Sequence, residues 1–424
     1  MILKVKPSEV TGRVNIPGSK SHTIRSVFFA GLADGKSTIK NPLISNDSDS
    51  AITLCKAFGA EYGLSGNTYS VAGIGGNPRV PENIIDVGNS GTSLRIGLMT
   101  AALVPGYTVF TGDHQIRRRP VGPVVEAINN LGGEAYTTRG NGSAPVVVKG
   151  RATGGFTKLD AVSSQYLSSI LINAPLLEKD TQIELIRLNE VPYVEITLWW
   201  LDKFGIKYSH HNMKEFYIPG RQKYLPFECA IPGDFSSATF FMVQAAISGQ
   251  EIALSNLDMS DPQGDKMVLA ILEDMGAKVT YTENEIRIKG HQLTGRTIDM
   301  NSIPDALPSM AVAACFAQGE TRLVNVPQAR LKETDRISVM CKELKKMGAD
   351  IEELPEGLVI RESRLKGCRV SGHDDHRVVM SLAVAGLNCP GETIIDTADA
   401  MNVTFPGFAE SIKNCGGSIK LAED

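Results

Sequence analysis

A set of cationic side chains stands where the sequence starts helices. Lys20 and Arg25 lie in SKSHTIR, Arg95 in NSGTSLR, Arg117, Arg118 and Arg119 ahead of Pro120, Arg330, Lys332 and Arg336 in QARLKETDRIS, and Arg377 in DDHR. A helix start already carries roughly +0.5 charge and free N–H donors, so cations placed there oppose the dipole and call for an anion. Phosphates or carboxylates are the groups such a surface suits. Any single arginine among them also reads as solvated surface charge. Carboxylates share the same positions: Asp234, Asp305, Asp374, Asp375, Glu333 and Asp335. Asp234 and Asp374 also read as helix N-caps. Glu333, between Lys332 and Arg336, reads either as a salt-bridge partner or as a proton carrier whose pKa its neighbours tune. The residues alone describe an enzyme that binds several anions and uses carboxylates, without naming the reaction.

The elements that hold these residues repeat. An apolar helical run ends in a glycine and is followed by a strand-like run in CKAFGAEYG, INNLGGEAY, LDKFGIKYS, LEDMGAKVT, LKKMGADIE and IKNCGGSIK. The glycines are Gly59, Gly132, Gly205, Gly276, Gly348 and Gly416, spaced by 73, 73, 71, 72 and 68 residues. A glycine just past a helix takes the left-handed C′ conformation without a Cβ clash. A second set of six helices opens on polar heads at Ser19, Asn89, Ser163, Asp234, Asp305 and Asp374, spaced by 70, 74, 71, 71 and 69 residues. Beyond their heads these helices are apolar nearly all round, which predicts burial. Strands follow them at KSTIKNP, YTVFTGD, TQIELIR, QEIALSNL, ETRLVNV and ETIIDTA. The chain thus reads as six units of about 70 residues, three to a domain. The predicted N-terminal domain is 19–232, and 1–18 plus 233–424 form the C-terminal one, with the active site in the cleft between them. Residues 1–16 precede the first head and are expected to complete the sheet of the second domain.

Composition excludes several classes. The 424 residues carry 43 Lys and Arg against 47 Asp and Glu, a formal charge of −4, which argues against a nucleic-acid binder. The start, MILKVKP, lacks a signal-peptide core, and no apolar run approaches a bilayer span, so a cytoplasmic protein without membrane partners is expected. Seven scattered cysteines without CxxC read as reduced, mostly buried thiols. GKS at Gly35–Ser37 lacks the first glycine of a phosphate loop, and VAGIGGNP is not GxGxxG. GNSGT lacks the last glycine of a nucleophile elbow. His373 and His376 with Asp374 and Asp375 form the only metal-like cluster and gain no support elsewhere, so neither a metal nor a cofactor is expected.

GSKSHTIR (Gly18–Arg25), GNSGTSLR (Gly88–Arg95), RRPVG (Arg118–Gly122), SSQY (Ser163–Tyr166), PYVEIT (Pro192–Thr197), IPDALP (Ile303–Pro308), LKETDR (Leu331–Arg336) and DHR (Asp375–Arg377) together resemble the 5-enolpyruvylshikimate 3-phosphate synthase family. The motifs run through all six repeats in family order. The resemblance implies an α/β fold, a two-domain inside-out α/β barrel of six βαβαββ-like units. It also implies transfer of the enolpyruvyl group of phosphoenolpyruvate to the 5-hydroxyl of shikimate 3-phosphate, with release of phosphate, domain closure over the site and glyphosate as an inhibitor. Carried over by motif, Lys20, Asn89, Gly91, Arg119, Gln165, Arg336 and Arg377 hold phosphoenolpyruvate. Lys20, Ser21, Arg25, Ser163, Ser164, Gln165, Tyr193, Asp305, Gln328 and Lys332 hold shikimate 3-phosphate. Asp305 and Glu333 move protons, with Lys20 assisting. The expected partners are these two small molecules, for a monomeric enzyme.

Three positions depart from the family pattern. Val403 in NVTFP stands where many members carry Lys, Glu190 stands two before Pro192 where a phosphate-binding Ser is usual, and Gln328 replaces a common Asn. The Glu190 carboxylate opposes a nearby phosphate unless it points away or pairs with a cation. An enolpyruvyl transferase acting on another alcohol, and a noncatalytic or RNA-end-processing relative of the same fold, are the alternatives. The UDP-N-acetylglucosamine carboxyvinyl transferase uses a loop cysteine before the Pro120 region, and no cysteine lies between Cys55 and Cys229.

Overall fold

The computed structural model describes residues 1–423 and divides into two compact units, Lys20–Ile231 and Met1–Ser19 with Pro232–Asp424. Each unit has one continuous apolar core. The Lys20–Ile231 unit holds helices α1 (Lys20–Leu32), α2 (Asn46–Ala57), α3 (Gly91–Ala101), α4 (Gly122–Asn130), α5 (Ser164–Asn173) and α6 (Val191–Lys203). The other holds α7 (Phe235–Ser248), α8 (Met267–Met275), α9 (Leu307–Cys315), α10 (Arg336–Lys346), α11 (His376–Leu387) and α12 (Phe408–Asn414). The odd-numbered helices except α9 begin at or beside the polar heads. Asp305 itself lies in a 3₁₀ turn, Pro304–Ala306, just ahead of α9.

The odd-numbered helices are buried along nearly their whole length, as their all-round apolar sequences require. A fully buried Leu, Ile or Phe contributes about 1.5–3 kcal/mol relative to exposure, so these helices carry most of each core. The even-numbered helices bury one side only. In α10, Ile337, Met340, Cys341 and Leu344 turn inward while Lys342, Lys345 and Lys346 stay outside or partly so. Every even-numbered helix ends at a repeat glycine, and all six of those glycines have positive φ, from 65° at Gly205 to 121° at Gly276. Two heads shift by one residue from expectation. Ser90, not Asn89, caps α3 by accepting from the Ser93 N–H, and Asp375, not Asp374, caps α11 by accepting from the Arg377 N–H. Asp374 instead has φ 55° and is no cap.

Six four-stranded sheets share one topology: an edge strand parallel to its neighbour, then two antiparallel pairings. In the Lys20–Ile231 unit the first sheet runs Glu228–Ala230, Lys36–Lys40, Thr68–Ala72, Glu61–Ser65. Its parallel edge thus comes from the last strand of the unit. The strand that precedes the first head, Gly12–Asn15, pairs instead with Glu251–Ser255 in the other unit. Strand Ile2–Lys6 is an inner strand there, between Thr393–Ile395 and Ser418–Ala422. The edge strand of each first repeat therefore lies just ahead of a point where the chain crosses between units, Gly12–Asn15 before the first crossing and Glu228–Ala230 before the second. All seven cysteines are free, and six are buried.

Because Leu3 and Val5 are fully buried and their strand bonds on both edges, deleting residues 1–7 removes the middle of a sheet. The expected outcome is loss of protease protection across 232–423 while Lys20–Ile231 survives as a resistant fragment. Unchanged protection of both, mapped by mass spectrometry, would refute this placement.

Candidate active site

In the 1–19 and 232–423 unit, the predicted chemistry gathers around one guanidinium. Arg336 opens α10 behind its cap Asp335, whose side chain accepts from the Ser338 N–H at 3.0 Å. The Arg336 side chain is 1% exposed, and three carboxylates surround it. Nε donates to Asp375 Oδ2 at 2.8 Å, Nη1 to Asp305 Oδ1 at 2.8 Å, and Nη2 to Glu333 Oε2 at 2.6 Å and to Asp375 Oδ1 at 3.2 Å. Asp305 also meets Arg377 Nη2 at 3.0 Å and Lys332 Nζ at 3.6 Å. Burial works to lower the pKa of Arg336, and the charges of Asp375, Glu333 and Asp305 more than offset it, leaving it above the ordinary arginine value.

The head of α7 joins this cluster. Asp234 accepts from the Ser237 hydroxyl at 2.7 Å rather than from a backbone N–H, and the Asp265 carboxylate accepts from the Ser236 hydroxyl at 3.0 Å. Burial pushes Asp265 up to about 6, with the Asp305 charge adding to the rise and Arg377 opposing it. The sequence reading did not single out Asp265. Its one signal was a carboxylate two residues before the apolar MVLAIL run of α8. Gln328 is buried, donates to the Asn301 carbonyl at 3.0 Å, and leaves its Oε1 without an acceptor's partner. Glu333 is thus in a salt bridge, and a largely shielded carboxylate 2.6 Å from a guanidinium is also one held in place. The two readings of Glu333 describe one geometry.

The Lys20–Ile231 unit gathers the other predicted residues. Gly91 begins α3 where a Cβ would come within 2.6 Å of the guanidinium atoms of both Arg119 and Arg95. A side chain there would have to displace both guanidinium groups, which glycine avoids. Arg95 Nη1 donates to Gln165 Oε1 at 2.6 Å, Nη2 donates to the Pro120 carbonyl at 3.0 Å, and the guanidinium lies 5.3 Å from the Tyr166 ring centre. Burial lowers the Arg95 pKa, and the nearby Arg119 charge lowers it further, against the raising effects of Tyr166 and Glu190. Arg119 Nη1 donates to the Asn89 carbonyl at 3.3 Å, and the Asn89 amide donates to Asp113 and Gln115, both at 2.6 Å. Ser163 caps α5, accepting from the Gln165 N–H at 3.4 Å. Lys20 Nζ lies 3.4 Å from Asp47, a partner the sequence reading missed.

Arg25 sits deeper than a surface ligand group. Its donors reach Thr197 Oγ1 at 2.9 Å, the Ser21 carbonyl at 3.1 Å, Ser168 Oγ at 3.3 Å and the Tyr193 carbonyl at 2.9 Å, and burial lowers its pKa to about 10. It ties α1, α5 and α6 together. The expectation that the cations at helix heads need an outside anion is corrected in part: Arg336, Arg377, Lys332 and Lys20 face the chain's own carboxylates. They are also largely buried rather than solvated, because the heads converge on one another.

A family model described as EPSP synthase (3-phosphoshikimate 1-carboxyvinyltransferase) matches residues 4–412. The chain is 74% identical over 421 residues to the 3-phosphoshikimate 1-carboxyvinyltransferase of Ruminiclostridium cellulolyticum, covering 99% of this chain and all of that one. It is 66% identical over 423 residues to the enzyme of the same name from Acetivibrio thermocellus, covering both chains fully. It is 43% identical to that of Methanocella arvoryzae, over 99% of this chain and all of the other. A solved EPSP synthase structure from Acinetobacter baumannii superposes with a TM-score of 0.84 at 27% identity, covering both chains fully. The six small sheets and twelve helices are thus similar to a known two-domain α/β architecture.

Asp265 makes a pH test of the buried carboxylate cluster. Its folded pKa, about 6, is above the ordinary aspartate value of 3.8, so the folded state binds the proton more tightly than the unfolded one. Stability therefore rises as pH falls from about 6 toward 4, and the ionised carboxylate is a cost above 6, on the order of 3 kcal/mol. Asp265→Asn should raise the thermal midpoint at pH 7.5 and change it little at pH 4.5. An equal shift at both values would contradict the assignment.

Proposed function

The chain belongs to the EPSP synthase family, and on that premise we propose that its two clusters of helix heads serve one reaction. The enzyme transfers the enolpyruvyl group of phosphoenolpyruvate to the 5-hydroxyl of shikimate 3-phosphate and releases phosphate, a step of the shikimate pathway. The observation that carries the assignment of roles is that Asp305 and Glu333 are both held on Arg336, at 2.8 and 2.6 Å, with Lys332 and Arg377 on the same aspartate.

The chemistry asks for two proton movements on the way to its intermediate and a third on the way out. The acceptor hydroxyl loses a proton as its oxygen attacks C2 of phosphoenolpyruvate, and the C3 methylene gains one, giving a tetrahedral intermediate. That intermediate then loses a C3 proton and phosphate. Asp305 and Glu333 suit this work because Arg336 fixes both carboxylates in place, and an incoming substrate anion that draws Arg336 or Arg377 toward itself loosens that hold. Lys20, beside Asp47, assists. Lys20, Asn89, Gly91, Arg119, Gln165, Arg336 and Arg377 bind phosphoenolpyruvate. At Gly91 the absent side chain leaves the N–H groups of the α3 head open to its phosphate. Ser21, Arg25, Ser163, Ser164, Gln165, Tyr193, Asp305, Gln328 and Lys332, with Lys20, bind shikimate 3-phosphate. For Arg25 this contact comes through the N–H capacity left after its four bonds within the protein. Every residue in this scheme comes from one chain, so a cytoplasmic monomer suffices. No helix among the described residues is long and apolar enough to cross a membrane.

Purified protein should release phosphate from phosphoenolpyruvate only when shikimate 3-phosphate is also present. Failure to do so, with release on another alcohol, would reassign the acceptor and leave the proton-transfer scheme intact. Glu333→Gln keeps the shape and a weaker bond to Arg336 but cannot carry the proton. Turnover should fall by about 100-fold or more, and a rate within threefold of the parent would remove Glu333 from that role.

A further inference from the structure

Glu190 occupies an unusual place. It precedes α6 with φ 59° and is buried. Its Oε2 accepts from the Ser164 N–H at 3.1 Å and from the Ser164 hydroxyl at 2.7 Å. Ser164 is the first residue of α5, so a protein carboxylate sits at a buried helix head, on one N–H and one O–H donor. That is the coordination a helix start offers to an external anion. A separate observation concerns Arg95. This guanidinium is 2% exposed, reaches Gln165, the next residue of the same helix head, and has an Nε–H with no protein acceptor. The Glu190 charge acts on it. A buried cation with a spare donor and a helix start with its donors occupied by a carboxylate together make an anion site that the chain fills for itself.

Resting on the function proposed above, we propose that Glu190 is a specificity-determining residue: an internal anion that competes with the phosphate of the acceptor for the α5 head. An acceptor phosphate must either displace the carboxylate from Ser164 or bind beside a like charge, and both weaken its binding. In the free protein the same carboxylate satisfies both Ser164 donors, which accounts for a buried acidic side chain at this helix head.

Three variants separate charge from shape. Glu190→Gln and Glu190→Ser remove the charge, and Glu190→Asp keeps it. The first two should lower KM for shikimate 3-phosphate at least fivefold, with the effect in KM rather than kcat and KM for phosphoenolpyruvate moving less than twofold. The Asp variant should stay within threefold of the parent. A merely structural cap would instead lower the thermal midpoint and leave the KM for shikimate 3-phosphate unchanged or raised in folded Gln and Ser variants, and that result overturns the proposal. Should neither variant fold, a crystal structure of the parent with shikimate 3-phosphate decides: the Glu190 carboxylate is expected off Ser164, and a complex that keeps both Ser164 bonds with the phosphate bound elsewhere refutes the competition. If the parent proves inactive on shikimate 3-phosphate, the functional reading fails separately. Calorimetric titration with inorganic phosphate still tests Glu190, with at least fivefold tighter binding expected in the Gln variant and equal binding overturning the idea.

Discussion

A guanidinium taken out of water must be answered by carboxylates or by carbonyl oxygens, and this requirement organises both units. Arg336 is the extreme case. Fully buried at the start of a helix, it opposes the local dipole and has lost its hydration, yet Asp375, Asp305 and Glu333 restore more than burial removes. The same carboxylates are thereby oriented by the guanidinium they surround.

The other unit answers its cations differently. Arg95 and Arg119 are next to one another, and their donors go to the Pro120 and Asn89 carbonyls and the Gln165 amide oxygen. Neutral acceptors satisfy hydrogen bonds without cancelling charge. Carboxylates enter this unit at Asp47, beside Lys20, and at Glu190, whose charge acts on Arg95. One unit answers its buried cations with carboxylates and the other mostly with neutral acceptors, although both are built from the same repeat.

Much of this was legible in the sequence. The six glycine stops and six polar heads predicted the helices within a residue or two, because a left-handed helix end and a capped helix start each admit few residue types. The shift of two caps, to Ser90 and Asp375, shows the limit: adjacent Asn and Ser, or Asp and Asp, are equally good caps by type. Arg25 was legible as a cation at a head, but not as a strut among α1, α5 and α6, because its partners Ser168, Tyr193 and Thr197 lie more than 140 residues away. Asp47 and Asp265 were missed for the same reason. A carboxylate's role comes from what surrounds it, and neither had a patterned neighbour in sequence.

The sequence by itself determined the repeat, the helix and strand types, the burial of the odd-numbered helices and the list of residue types able to bind anions and move protons. Those properties follow from local sterics and from apolar periodicity, which act over a few residues. Only the tertiary structure decided which charges neutralise one another, which strand completes which sheet, and that the carboxylate of Glu190 lies on Ser164. Electrostatic pairing depends on distance and on the exclusion of water, and both are set when helices distant in sequence bring their heads together.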